Sequence, residues 1–245
     1  MSDSHFPGNH QNSVPEPSAS SIISHAIEMY KGVLVYAVVG FLIYCALNLT
    51  ADAILNFDLF FTLSNLEESN GNWAVNIINA PGFFGYALVS NLISVLISPI
   101  YIGLLFIISK HNSNQNAEVS DLFIGYKQNL VNILIYSLIA HVLLSIASSF
   151  CVIPMFFVAP FLLLGFPILL FENATATDAL RKSFDVAKEN YGVFLGVSIV
   201  GFFLSILGVF VCFIGIIITA FFFVAIMYST YVAYLGKPKP LLDKV

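Results

Sequence analysis

Few side chains in the long apolar runs of this sequence could do chemistry. His141 lies near the middle of the run Leu130–Phe150, and an ionisable group at such a depth is a functional hypothesis by default. A metal site needs three or four ligands, and no Asp, Glu or Cys lies within four residues of His141. The simpler reading is a neutral imidazole making one interhelical hydrogen bond, to Asn91 or Ser145. Asn91 joins Ser90, Ser94 and Ser98 in a polar stripe. The serines recur every four residues, so they line one small helix face suited to close packing. A substrate path lined by hydroxyls is the alternative. Cys45, Cys151 and Cys212 have no CxxC spacing, which indicates neither zinc nor a disulfide framework. A Cys151–Cys212 bond could form in an oxidising compartment, but buried free cysteine commonly behaves as a small apolar residue, and no bond is predicted. GxSxG, HExxH, Walker and GxGxxG motifs are missing. No catalytic residue, cofactor or metal is expected.

Composition explains why chemistry is sparse. Of 245 residues, 58% are hydrophobic and 9% charged, with a mean hydropathy of +0.90. Soluble domains carry roughly 25% charged residues, so the expected class is all-α integral membrane. The net charge of -5 argues against nucleic acid as a partner, which calls for a basic patch. Residues 1–20 hold no Lys or Arg and no apolar core, unlike a secretory signal. Their Ser, Pro, Asn and Gly content predicts a disordered tail.

A membrane-crossing helix needs about 20 apolar residues. Six such spans are predicted in one domain over 21–236, at about 32–49, 82–109, 130–150, 154–171, 191–211 and 215–235. The alternative has four spans with one pair re-entrant. Residues 50–81 read as an external insertion carrying Asp52, Asp58, Glu67 and Glu68, and 237–245 form a second tail. With six spans, all nine Lys and Arg residues fall on the side of both termini. The positive-inside rule makes that side cytoplasmic. Pro99, Pro154, Pro160 and Pro167 free backbone carbonyls within or beside spans, to be satisfied by neighbouring helices, Ser or Thr side chains, or water. Ser94 and Ser98 are the expected partners at Pro99.

The polar stretch Glu172–Tyr191 places Leu180, Ser183, Phe184 and Ala187 at i, i+3, i+4 and i+7, with Lys188 next. This spacing makes one helix face, and Thr177 is the expected N-cap. Ile23, Ala26, Ile27 and Tyr30 before Lys31 match the pattern, as do Val119, Leu122, Phe123 and Tyr126 before Lys127. The fold predicted is therefore three pseudo-repeated hairpins, each preceded by a cytoplasmic interfacial amphipathic helix. Pro160 with Gly165 lies 33 residues beyond Lys127, and Pro99 with Gly103 lies 68 beyond Lys31. The 35-residue surplus approximates the insertion. The third unit departs, having Phe221 in place of proline.

The segment FPILLFENATATDALRKSFDVAKENYGVFLGV resembles a family of uncharacterised bacterial polytopic inner-membrane proteins, related to the membrane domain of some glycerophosphodiester phosphodiesterases. Pro167, Glu172, Ala179-Leu180, Ser183, Lys188, Asn190 and Tyr191-Gly192 carry the likeness. It covers roughly 118–236 well and the first hairpin loosely. The resemblance implies a six-helix protein of the bacterial inner membrane. Phosphodiesterase activity does not carry over, because the soluble domain is not present. A carotene-cleaving oxygenase label, attached to some relatives, needs several iron-binding histidines, and only His141 is intramembrane.

The expected role is a non-enzymatic scaffold or assembly module contacting the bilayer and membrane-protein partners. Candidate lipid head-group contacts are Lys31, Lys127, Arg181, Lys182 and Lys188, and candidate intramembrane polar contacts are Asn91 and His141. One alternative is a transporter or lipid-handling protein with a cavity between the hairpins. Another is an accessory subunit of a larger complex.

Overall fold

The computed structural model describes residues 14–55, 82–150, 152–210 and 212–238. Every regular element among them is helical. Helix α1 runs Ala19–Leu55 and α2 Phe83–Asn112, and a 3₁₀ segment, Val119–Phe123, leads into the single turn α3, Ile124–Lys127. Then come α4, Leu130–Phe150; α5, Val152–Leu162; α6, Gly165–Phe171; and α7, Ala176–Glu189. The last three are α8, Tyr191–Phe210; α9, Cys212–Thr219; and α10, Phe222–Leu235. The insertion carboxylates Asp58, Glu67 and Glu68 lie outside the described residues.

Six helical stretches are long and apolar enough to cross a membrane: Ala19–Thr50, Phe83–Asn112, Leu130–Ser148, Ile153–Phe171, Tyr191–Gly208 and Gly215–Leu235. The chain is a multi-pass, all-helical membrane protein. Burial alternates along it. The second, fourth and sixth stretches are each 56% buried, against 17–28% for the first, third and fifth. Helices running back toward the lysine-rich ends therefore carry most of the packing. Packing separates a larger unit, Met1–Phe41 with Ser98–Val245, from a smaller one, Leu42–Ile97. The larger unit's core includes Ile100, Leu104 and Ile108 of α2, Leu163–Leu164 with Ile168 and Leu169, and Ala225, Ile226 and Val232 of α10.

The three segments ahead of the outgoing spans differ. No separate surface helix precedes the first span, since α1 passes through Lys31 without a break. Gly32, just after Lys31, lets the end of α2 lie against α1, because a Cβ there would fall inside the ring of His111. Ahead of the third span the chain is the 3₁₀ segment and one helical turn, ending where Asn129 takes φ 53°. Its start is pinned by Asp121, whose carboxylate accepts from the Glu118 N–H at 2.8 Å. Only α7 is a full polar-faced helix. Its N-cap is Thr175, two residues before the Thr177 expected from sequence. Thr175 Oγ1 accepts from the Asp178 N–H at 3.2 Å and donates to the Asp178 carboxylate at 2.7 Å, closing the first turn from both sides.

The apolar stripe also sits differently from its simplest reading. Only its second position is wholly buried in all three segments: Ala26, Leu122 and Ser183 each have 0% exposure. The first and third positions, Ile23 and Ile27, Val119 and Phe123, Leu180 and Phe184, are half-buried or exposed.

Candidate functional site

The fourth span is broken at Leu163–Leu164, the eleventh and twelfth of the residues in Ile153–Phe171. Pro167 accounts for the break. In a continuous helix its ring would strike the Leu163 carbonyl and leave it without a donor, whereas in the first turn of α6 the missing N–H is harmless. The interruption leaves backbone groups near it for other helices to satisfy. Ser183 Oγ donates to the Phe161 carbonyl at 2.6 Å and accepts from the Leu164 N–H at 3.2 Å. The Tyr136 hydroxyl donates to the Leu162 carbonyl at 2.6 Å. Glycine is required beside it, because a Cβ on Gly165 would overlap the Tyr136 ring. Tyr136, Leu162, Leu164 and Ser183 are buried and Phe161 is half-buried, and away from water an unmade hydrogen bond is expensive.

The sixth span breaks at Ala220–Phe221, between α9 and α10, although no proline lies in Cys212–Leu235. The Tyr30 hydroxyl donates to the Ile218 carbonyl at 2.7 Å, and Thr219 Oγ1 donates to the Ser205 carbonyl at 2.8 Å. Pro99, by contrast, lies inside the unbroken α2. Ser94, expected to serve the carbonyl that Pro99 frees, donates to Ser90 O instead, at 2.9 Å. Further along α2, Gly103 admits the 3₁₀ segment, since a Cβ there would meet the Leu122 carbonyl, and Gly125 likewise clears the Pro99 carbonyl.

Polar clasps join the lysine-rich ends of these helices. Lys110 Nζ meets the Asp121 carboxylate at 2.8 Å and lies 5.0 Å from the Phe106 ring centroid. Lys182 Nζ donates to both oxygens of Glu172, at 2.7 and 2.6 Å. His25 Nδ1 hydrogen-bonds Ser229 Oγ at 2.8 Å. His25, Asp121 and Lys182 stand six residues before Lys31, Lys127 and Lys188, so the clasps share one register. The His25 ring stacks on Tyr228 with centroids 6.4 Å apart, and the Tyr228 hydroxyl accepts from Asn112 Nδ2 at 3.1 Å. The Tyr231 hydroxyl donates to Glu172 at 3.4 Å, tying the second and third clasps together through α10.

Sequence reasoning missed His25, Asn112, Tyr228, Ser229 and Tyr231. The signal was the Tyr-Ser-Thr-Tyr cluster at 228–231 in an otherwise apolar helix. A count of apolar stripes and lysines passes over it, and His25 lies beside the counted stripe.

The residues singled out from sequence are scattered through the fold. Lys31, Lys127, Arg181 and Lys188 are exposed, and no ion pair engages them among the described residues. Lys182 is occupied by Glu172. Burial raises the Tyr126 phenol above its ordinary value, so it stays neutral beside Lys127. His141 makes no hydrogen bond to Asn91 or Ser145. Its Nδ1 donates to the Ser137 carbonyl one turn earlier on α4, at 2.8 Å, because the nearest acceptor is its own helix. A carbonyl cannot donate, so neutral His141 carries its proton on Nδ1 and its lone pair on Nε2. It lines a cavity of about 110 Å³ with Tyr136, Leu144, Phe166, Phe223 and Met227. Asn91 is exposed and its amide donates to Ala87 O within α2, at 2.7 Å. Cys45 is a half-buried free thiol, while Cys151 lies outside the described residues. Among the described residues no three His, Cys, Asp or Glu side chains converge as metal ligands.

Chemically, the arrangement can hold broken helices in register and present cations beside apolar side chains. Set against known proteins, the chain matches no family model, no curated protein and no solved structure.

Proposed function

We propose that this chain is a non-enzymatic scaffold or assembly module of the bacterial inner membrane, with both termini cytoplasmic. Its surface segments would engage lipid head groups and membrane-protein partners. One observation carries the reading: Lys31, Lys127 and Lys188 are exposed in a common register, while the polar groups behind them are engaged in clasps and helix breaks. Beside these cations, Val119, Phe123 and Phe184 are 40–50% exposed. Apolar side chains next to lysines suit the head-group boundary, and each cation near an anionic surface contributes about 1 kcal/mol. The shared register also supports three pseudo-repeated hairpins with amphipathic entry segments, as does the resemblance of 118–236 to polytopic inner-membrane proteins.

Replacing Lys31, Lys127, Arg181 and Lys188 together by Glu tests the reading while sparing the Lys182–Glu172 pair. Anionic lipid and protein partners retained in mild detergent should fall severalfold. Unchanged retention would sink the proposal.

A second reading is transport or lipid handling. It is favoured by the interrupted fourth span and the His141 cavity, since broken helices near mid-span often mark substrate sites. Against it, hydroxyls already take the Phe161 and Leu162 carbonyls and the Leu164 N–H. The same partner capture addresses the accessory-subunit reading, which requires a stoichiometric companion.

A further inference from the structure

We infer that the groove between α4, α5 and α7 binds one phospholipid, with an acyl chain along the groove and the phosphate on Arg181. This rests on the lipid-engaging reading above and gives it a specific site. The groove encloses about 390 Å³ and is walled by Leu143, Val158, Phe161, Leu162, Leu180 and Phe184. That is room for roughly a dozen methylenes, taking each at about the 30 Å³ of a liquid water molecule. α4 and α5 supply two of the membrane-crossing stretches, so a lipid chain can enter sideways from the bilayer.

The wall is held in place before any ligand arrives. Phe161 stacks between Phe184 and Tyr191, at centroid distances of 4.8 and 5.3 Å, and Ser183 ties its carbonyl. The Tyr191 hydroxyl in turn donates to Phe157 O at 3.3 Å.

Arg181 is the one charged residue lining the groove among the described residues. Its neighbour Lys182 is committed to Glu172. Asp178 and Asp185 stand three residues before and four after it, yet neither forms an ion pair with it among the described residues. Asp178 instead accepts from Thr175. A guanidinium offers two parallel donors that match a phosphate. The hydrocarbon walls would strand the backbone N–H and C=O groups of an extended peptide, and a cation at the end of an apolar groove complements an alkyl chain ending in phosphate.

The test is thermal unfolding of the full chain in neutral detergent with dioleoylphosphatidylglycerol, with phosphate-free dioleoylglycerol, or with inorganic phosphate. The phospholipid should raise the midpoint well above either control. Arg181→Gln and the groove-filling Val158→Phe should each abolish that excess, with Arg181→Lys retaining part of it. Arg181 is exposed, so its variant is expected to fold. If Arg181→Gln keeps the full excess while a Lys31, Lys127 and Lys188 to Gln triple variant loses it, the groove is wrong and the general surface reading stands. Protection by inorganic phosphate alone would replace the lipid with a free anion. No excess for phospholipid in any protein would overturn both the site and the reading beneath it.

Discussion

The fourth and sixth spans are both interrupted, but by different means. The fourth has Pro160 and Pro167, and its break is held by Ser183 and Tyr136; the sixth has no proline, and its break is held by Tyr30, while its own Thr219 bonds the Ser205 carbonyl of α8. Counted from the preceding lysine, the sixth span breaks about one helical turn earlier. Its donor has moved correspondingly: Ser183 lies five residues before Lys188, whereas Tyr30 directly precedes Lys31 and is the longer side chain. A break displaced by a turn is met by a hydroxyl with a longer reach. The unbroken α2, with Pro99 inside it, completes the contrast. Proline is thus neither necessary nor sufficient for a break here, and what recurs is a hydroxyl supplied by another segment.

Gly165→Ala attacks the fourth-span break most directly. The added methyl collides with the Tyr136 ring, so the ring must move and its bond to Leu162 is lost. Overpacking and a stranded buried carbonyl each cost about 1–3 kcal/mol. A loss of roughly 3 kcal/mol is expected in equilibrium unfolding in mixed micelles. Pairing Gly165→Ala with Tyr136→Ala should relieve the clash and give less than the sum of the two losses. Additive losses would show that ring and glycine are not coupled.

Removing the hydroxyls compares the two breaks more finely. Ser183→Ala strands both a carbonyl and an N–H, so about 2 kcal/mol should be lost; Tyr30→Phe strands one carbonyl and should cost about 1 kcal/mol. Amide hydrogen exchange localises the effect, with Leu164 exposed by the first variant and no change there from the second. Equal losses, or exchange spreading to Leu164 from Tyr30→Phe, would break the comparison.

Much of the architecture was legible because its cause is local. Six helices of membrane length follow from apolar runs of about 20 residues, and the three lysines stand out because each directly follows an apolar stripe. The breaks were not legible, since Pro99 and Pro167 look alike in sequence and Phe221 gives no warning. Their partners come from other segments: Ser183 is 22 residues from Phe161, and Tyr30 is 188 from Ile218. The stripes were visible, but not which position in them faces protein. Ser183 counted as one member of an apolar face, yet it bonds two backbone groups of the broken span. The His25–Ser229 clasp was hidden for the same reason, joining residues 204 apart.

His141 provides the control for the comparison, as a polar intramembrane side chain one turn from the fourth-span machinery that holds no break. Its Nδ1 bonds the Ser137 carbonyl, which in a continuous helix already receives the N–H four residues on, so that acceptor is not stranded when the imidazole goes. A Gln amide can donate to the same oxygen. His141→Gln should therefore change stability by less than about 0.5 kcal/mol, far below Ser183→Ala, with normal membrane levels and unchanged partner retention. The contrast is sharp because both residues are polar groups on helices that face the same interrupted span. Loss of partner retention at normal membrane levels would move His141 from packing to function and favour the cavity it lines as the working site.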